Sequence, residues 1–236
     1  MGQVPAREMG LLGEGSVELL GQMPRSSNAT FLVQVACGDD TGRAIYKPEA
    51  GERPLSDFEP GLYRRERAAY VLSEYLGWGI VPPTVVRAEA PLGIGSLQWF
   101  VDCDFREHYF TLHEDAPETH AALARIALFD FVANNTDRKS GHVLRGHDGR
   151  VWGIDHGLCF SAAFKLRTVI WDFAGEPIPR ALLDDIAPLA GDVPAELPEL
   201  LDPVEISALQ RRVRRMLLEQ VLPADPTGMR YPWPLV

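Results

Sequence analysis

The sequence predicts a protein of the α+β class with two lobes, a small antiparallel sheet with one helix followed by a mainly helical region. Three observations predict this. Short strand-like segments separated by turn residues fill the first part of the chain, and strongly apolar helical patterns begin only after Phe105. The length of 236 residues is enough to bury a substantial core. We place the lobes at residues 1–104 and 105–236, within one domain overall.

The sheet lobe is predicted from alternating apolar residues. A hairpin spans residues 14–35, and its polar turn reads QMPRSSNA. A third strand, GRAIYKP, ends at Lys47 and Pro48. The segment LYRRERAAYVLSEYLG predicts a helix with Gly77 at its C-terminal end. Two further strands are predicted in VPPTVVRAEA and GSLQWFVDCDF.

The helical lobe begins with ETHAALARIALFDFVANN, in which apolar residues recur at helical spacing and predict a core helix. The segment TDRKSGHVLRGHDGRVWGIDHGLCF then predicts a loop, a short strand, a turn at residues 147–149 and a second strand. The segments PRALLDDIAPL and DPVEISALQRRVRRMLLEQVL predict the helices that complete this lobe.

Composition excludes some classes of function. The net charge is −10, and no basic stripe offsets it, which argues against a nucleic-acid partner. The arginines at positions 211–215 are predicted to lie on a solvated helix face. No apolar run approaches the roughly 20 residues that span a bilayer, so we expect no stable membrane insertion. The 3 cysteines, with no metal-type spacing, and the absence of a signal-peptide pattern predict a cytoplasmic protein.

Four residues stand where packing alone would not place them. Lys47 ends an apolar strand, and Glu66 lies within the apolar stripe of its helix. From the helix alone two interpretations of Glu66 stay open: a specific buried partner, or a side chain that reaches solvent or a neighbouring arginine. Asp137 follows the core helix in a polar turn, where an aspartate is common for turn formation alone. Asp155 ends an apolar strand and precedes His156 and glycine, a placement typical of a metal ligand.

One chemistry uses all four residues together. A strand lysine can bind phosphates while a helix glutamate orients it. One aspartate can position a hydroxyl nucleophile, and a second can hold Mg²⁺ between phosphates. Phosphoryl transfer requires these parts because its catalysis is mostly positioning and charge neutralisation.

With these residues in view, the sequence resembles the atypical kinases of the phosphatidylinositol 3-/4-kinase type, whose relatives include the HipA-like and Fam20-like kinases. The stretch NTDRKSGHVL is similar to the family's catalytic loop, D-R-H-x-x-N, and IDHGLCF is similar to its metal-binding segment. The stretches ERAAYVLSEYLG and VPPT resemble its lobe-bridging helix and next strand. The resemblance is greatest to an uncharacterised actinobacterial group. It implies a two-lobed protein-kinase-like fold and an ATP-dependent phosphotransferase.

The resemblance also assigns roles residue by residue. Lys47 becomes the phosphate-binding lysine and Glu66 its ion-pair partner, Asp137 the catalytic-loop aspartate and Asp155 the magnesium ligand. The turn over the phosphates would contain Ser26, Ser27 and Asn28. The hinge beside adenine would be formed by Gln98, Trp99, Phe100 and Val101.

His142 departs from this pattern, because the family has an asparagine there as a second metal ligand. A neutral imidazole could bind a softer ion such as Mn²⁺. A protonated ring could instead contact a phosphate. The third alternative is a pseudokinase that binds nucleotide and acts as a regulatory or scaffold module. Lys139, where the family has histidine, adds to this alternative.

The phosphoacceptor is not specified by the sequence. The acidic charge favours a soluble protein or small molecule over a membrane lipid. Metal-dependent hydrolysis is the weakest hypothesis, because His108, His113 and His120 are predicted in a loop and a helix start rather than in a ligand cluster.

Overall fold

The computed structural model describes residues 6–24, 26 and 28–236. Its sheet region contains two helices and five strands: α1 (Ala6–Glu14), β1 (Ser16–Gln22), β2 (Phe31–Cys37), β3 (Asp40–Pro48), α2 (Leu62–Tyr75), β4 (Thr84–Arg87) and β5 (Gly95–Trp99). The strands form one antiparallel sheet in the order β1-β2-β3-β5-β4. The α+β class is therefore confirmed.

The prediction of a single helix on this sheet was wrong. Helix α1 packs across β2 to β5, and its Leu11 and Leu12 are buried in the core of the sheet. Gly10 and Gly13 weaken the local helix signal, so the segment does not stand out in the sequence. The burial of the two leucines stabilises the helix instead.

Alternation along β3 decides which residues reach the cleft. Ala44 and Tyr46 are fully buried in the core that includes α1. Because successive side chains of a strand point to opposite faces, Ile45 and Lys47 face the other way, where both line a cavity. Lys47 therefore reaches the cleft as a direct consequence of the strand period.

The second region is mainly helical. It contains α3 (Tyr109–Asp115), α4 (His120–Ala133), α5 (Arg180–Ile186), α6 (Leu197–Leu200), α7 (Pro203–Glu219) and a two-stranded hairpin of β6 (Val143–Arg145) and β7 (Val151–Gly153). Its large core also takes in the buried face of α2. The boundary between residues 104 and 105 stays a prediction.

One arginine of the 211–215 cluster does not lie on a solvated face. Arg212 is 6% exposed, and its Nε donates to the carbonyl oxygen of Val132 at 2.8 Å. Helix α7 turns this position towards α4, so the predicted surface arginine is a buried one.

No helix in the described part of the chain is long and apolar enough to cross a membrane.

Candidate active site

Lys47 and Glu66 meet where β3 ends beside α2. The Lys47 ammonium forms an ion pair with Glu66, whose side chain is 3% exposed, and lies 2.7 Å from Asp155 Oδ1. Burial by itself would lower the pKa of Lys47. The carboxylates of Asp155 and Glu66 outweigh that effect and hold the pKa above its ordinary value. The lysine is therefore a fixed positive charge in the cleft, and the partner of Glu66 is neither solvent nor a neighbouring arginine.

Glu66 has a second contact across the cleft. Its Oε2 accepts the backbone N–H of His156 at 3.0 Å, and a Cβ at Gly157 would come within 3.3 Å of its Oε1. One buried carboxylate therefore holds both Lys47 and the residue that follows Asp155. The sequence pattern showed that Glu66 needed a partner, but it did not indicate this second contact.

Asp155 lies just after β7 with φ of 59°, in the left-handed region that few residues other than glycine adopt. Its neighbours therefore have to hold the backbone there. Burial acts to raise the pKa of the Asp155 carboxyl, but Lys47 and His142 hold the pKa well below its usual range. The group is ionised and directed towards the cleft.

Asp137 lies in the loop after α4. Its backbone N–H donates to Asn135 Oδ1 at 3.0 Å, and its carboxylate lies 3.0 Å from Lys139 Nζ. Burial raises the pKa of Asp137, although Lys139 opposes the shift. Asp137 lines a small cavity together with Lys47 and Asp155. The turn-forming interpretation of Asp137 and a functional one are thus compatible, because the backbone makes the turn and the side chain faces the cleft.

His142 connects Asp137 to Asp155. Its Nδ1 lies 3.1 Å from the carbonyl oxygen of Asp137, and its Nε2 lies 3.2 Å from Asp155 Oδ2. Burial lowers the pKa of His142 to about 4, so the ring is neutral at neutral pH. The Asp137 carbonyl and the Asp155 carboxylate both only accept, so the single proton of the neutral ring can serve one of these two contacts. The other ring nitrogen then presents a lone pair to an acceptor oxygen.

Behind these groups lies a buried polar network. Arg138 and Asp130 are both 0% exposed and form a bidentate ion pair, with Nε–Oδ2 at 2.8 Å and Nη2–Oδ1 at 2.9 Å. Arg138 Nη2 also lies 2.8 Å from Nε2 of His156. Sequence reasoning did not assign these three residues. The sequence feature that could have revealed them is Asp130, because a charged residue inside an apolar helix requires a buried partner.

An apolar cavity of about 290 Å³ opens next to the charged residues. The predicted hinge lies along one side of it. Among the cavity-lining residues are Met23, Ile45, Lys47, Gln98, Trp99, Phe100, Val101, Phe105, Leu144, Ile154 and Asp155. Gln98 donates its amide to Thr84 Oγ1 at 2.9 Å. The backbone N–H groups of Trp99 and Phe100 donate to Pro83 and Arg43, so both are already engaged.

The predicted phosphate turn lies at the mouth of this cavity. Ser26 Oγ lies 2.8 Å from Thr30 Oγ1, a contact that sequence reasoning missed. Asn28 Oδ1 accepts the backbone N–H of Arg53 at 3.0 Å. Ser26 and Asn28 both line the small cavity that contains Asp137. Ser27 lies outside the described residues.

His113 and His120 are not part of this site. His113 belongs to α3 and stacks on His120 at the start of α4, with ring centroids 4.7 Å apart, so the prediction of a loop at His113 was wrong. Within residues 6–24, 26 and 28–236 no three histidine, cysteine or acidic side chains cluster as metal ligands. Any cation at Asp155 would therefore draw most of its ligands from elsewhere.

No protein-family model matches the chain. The chain is 29% identical over 191 residues to phosphatidylinositol 4-kinase gamma 4 of Oryza sativa subsp. japonica, which covers 67% of this chain and 32% of that protein. The chain thus spans about a third of the rice protein.

The fold is similar to the solved structure of hydra Fam20 with sugar, with a TM-score of 0.58 over 89% of this chain and 86% of that one. At 11% identity this likeness shows the fold alone, and that fold is kinase-like. A second relative is 40% identical over 265 residues, which cover 96% of this chain and 95% of the relative. The chain therefore belongs to the same family as Protein Rv2133c of Mycobacterium tuberculosis.

Proposed function

We propose that the protein is an ATP-dependent phosphotransferase of the phosphatidylinositol 3-/4-kinase-like group, transferring the γ-phosphoryl group to a hydroxyl acceptor. One observation carries the proposal. A single cleft brings together the Lys47–Glu66 ion pair, the ionised Asp155 and the partly buried Asp137, next to an apolar cavity. The kinase-like fold and the limited similarity to the rice enzyme support it.

In this proposal the nucleotide base occupies the apolar cavity, whose size is close to the roughly 300 Å³ at the lower end of ligand pockets. Because the N–H groups of Trp99 and Phe100 are engaged within the sheet region, the backbone at Val101 would read the edge of adenine. Lys47 would bind the phosphates, and Ser26 and Asn28 would contact them from the turn.

The residues fit a divalent cation. In the tautomer with the ring proton on Nδ1, bonded to the Asp137 carbonyl, the lone pair of His142 Nε2 would face Asp155 Oδ2 at 3.2 Å. Two acceptors so close are unfavourable unless a cation lies between them, and ligand atoms of an octahedral Mg²⁺ or Mn²⁺ lie about 3 Å apart. Asp155 and His142 would hold the ion, which would neutralise charge on the phosphates, and phosphate oxygens would complete its ligands.

Asp137 would position the acceptor hydroxyl and take up its proton. Burial raises the pKa of Asp137, which makes the carboxylate a better base, and Lys139 keeps it ionised at 3.0 Å. The net charge of −10 favours a soluble protein or small molecule as acceptor over an anionic lipid.

The test is calorimetry of ATP binding to the wild type and to Asp155→Ala, with and without Mg²⁺ or Mn²⁺. We expect the metal to tighten binding to the wild type, and Asp155→Ala to lose that gain. Asp184→Ala, at an exposed position on α5, is the matched control and should retain it. Identical ATP affinities for the wild type and Asp155→Ala in the presence of metal would show that the site is assigned wrongly.

Turnover with labelled ATP then separates an enzyme from a binding module. Transfer of label to a component of a host lysate, lost in Asp137→Asn, supports the phosphotransferase. Metal-dependent ATP binding with no transfer under any metal would instead identify a nucleotide-binding pseudokinase.

A further inference from the structure

Arg138 is the largest of the fully buried residues by volume in the described part of the chain, and it directly follows Asp137. Burying a guanidinium without partners is costly, so its contacts show what it does there. Two of its bonds go to Asp130, which neutralises the charge. One carboxylate is enough for neutralisation, and the remaining donors are directed elsewhere.

The remaining donors all reach a proposed metal ligand or a residue next to one. Arg138 Nη1 donates to the carbonyl oxygens of His142 at 3.0 Å and Ile154 at 2.6 Å. Its Nη2 lies 2.8 Å from His156 Nε2. Ile154 and His156 flank Asp155, so Arg138 contacts the residue on each side of that aspartate.

These contacts act on a backbone that needs support. Asp155 has φ of 59°, a backbone conformation that is strained for a residue with a Cβ. The carbonyl oxygen of His142 accepts a second bond, from the backbone N–H of Ile154 at 2.9 Å. The loop with His142 and the segment with Asp155 are therefore joined directly and through Arg138.

We propose that Arg138 is a positioning residue, which sets the Asp155 carboxylate and the His142 ring at the separation that a divalent cation requires. This inference rests on the proposed function. Arginine suits the role because its planar fork has five N–H donors in fixed directions. A lysine could keep the ion pair with Asp130, but its single ammonium could not hold both carbonyls and the His156 ring.

The experiment compares Arg138→Lys with Arg212→Lys. Arg212 is also buried and also donates to backbone carbonyls, but it contacts Val132 and Ser161 instead of the Asp155 segment. The readout is the gain in ATP affinity on adding Mn²⁺, measured by calorimetry. We expect the Mn²⁺-dependent gain in ATP affinity to be at least about tenfold smaller in Arg138→Lys than in the wild type, as is found for changes to residues that support metal ligands. Arg212→Lys should keep it.

A second readout needs no ligand. Hydrogen exchange of the apo protein should become faster across residues 154–157 in Arg138→Lys and stay unchanged there in Arg212→Lys. If Arg138→Lys does not unfold cooperatively, His156→Leu replaces it, because that change removes one contact beside Asp155. We expect a smaller loss of the Mn²⁺ gain in the same direction.

The outcomes separate the two proposals. Retention of the full Mn²⁺ gain in Arg138→Lys, or an equal loss in both lysine variants, would overturn the positioning role. If the wild type gains ATP affinity with neither Mn²⁺ nor Mg²⁺, the proposed function fails, and hydrogen exchange alone decides the inference. Faster exchange confined to Arg138→Lys then supports positioning of the segment, and equal exchange overturns it.

Discussion

The two sides of the cleft are held in different ways. On the helical side, Asp155 is surrounded by buried polar bonds from Glu66 and Arg138. On the sheet side, the turn with Ser26 and Asn28 is held by backbone bonds near its ends, from Met23 to Thr30 and from Ala29 to Gly51. Ser26 itself is exposed.

Because of this difference, substitutions on the two sides of the cleft should have different effects on the free energy of unfolding and on ligand affinity. Each buried polar group on the helical side leaves an unpaired partner when it is removed, so a substitution there should affect folding as well as the site. A substitution in the exposed turn breaks fewer buried bonds, so it should affect ligand affinity more than stability.

Asp130→Ala should have the largest effect on stability. It leaves the buried Arg138 without its carboxylate, and breaking a buried ion pair in this way costs about 3–5 kcal/mol. Urea unfolding measures the change. Asp184→Ala is the control, because its pair with Arg180 is exposed and should contribute no more than about 0.5 kcal/mol. Similar losses in the two variants would contradict the contrast.

His142→Asn should change how stability depends on pH in the metal-free protein. Burial lowers the pKa of His142 to about 4, whereas the unfolded chain has a value near 6.5. The unfolded state therefore binds the proton first, so this contribution is complete above pH of about 6.5 and is lost as pH falls towards 4. The expected loss in the wild type, absent from the variant, is roughly 1–3 kcal/mol.

The exposed His147 provides the control for the pH experiment, and His147→Asn should follow the wild-type profile.

The same His142→Asn variant also tests the proposed metal site. An oxygen ligand in place of nitrogen should shift the metal that best supports ATP binding from Mn²⁺ towards Mg²⁺. Unchanged pH and metal profiles would show that His142 is only a loop residue.

Lys47→Met and Glu66→Gln should be strongly non-additive in ATP affinity. Both changes break the same ion pair, and a hydrogen bond to a charged group contributes about 1.5–3 kcal/mol. The double variant should therefore be little worse than the more damaging single one. A double-mutant cycle by calorimetry measures the coupling. Independent, additive losses of ATP affinity in the two variants would contradict the proposed role of Glu66.

Ser26→Ala should have the smallest effect. The change removes one hydroxyl from the turn, so ATP affinity should weaken by about 0.5–1.5 kcal/mol, which is up to roughly tenfold. The melting temperature should fall only slightly, although the change also breaks the contact with the buried Thr30. Ser56→Ala, in an exposed loop position, is the control and should alter neither quantity. A large loss of stability in Ser26→Ala would show that the turn belongs to the rigid part of the site.

Local sequence patterns predict the parts of the fold that depend on neighbouring residues. Alternation along β3 placed Lys47 at the end of a strand, and the helical pattern placed Glu66 on the buried face of α2. Helix α1 was missed because its glycines oppose local helix formation, and packing of Leu11 and Leu12 on the sheet stabilises it. The roles assigned to the site residues stay predictions.

The tertiary structure alone decided the partners. Glu66 bonds Lys47, 19 positions away, and the N–H of His156, 90 positions away. Arg138 contacts residues on both sides of Asp155, and Arg212 is buried although its cluster looks like a solvated face. Local periodicity shows that a charge is buried and therefore needs a partner. Which partner it finds depends on chain segments that only the folded core brings within bonding distance.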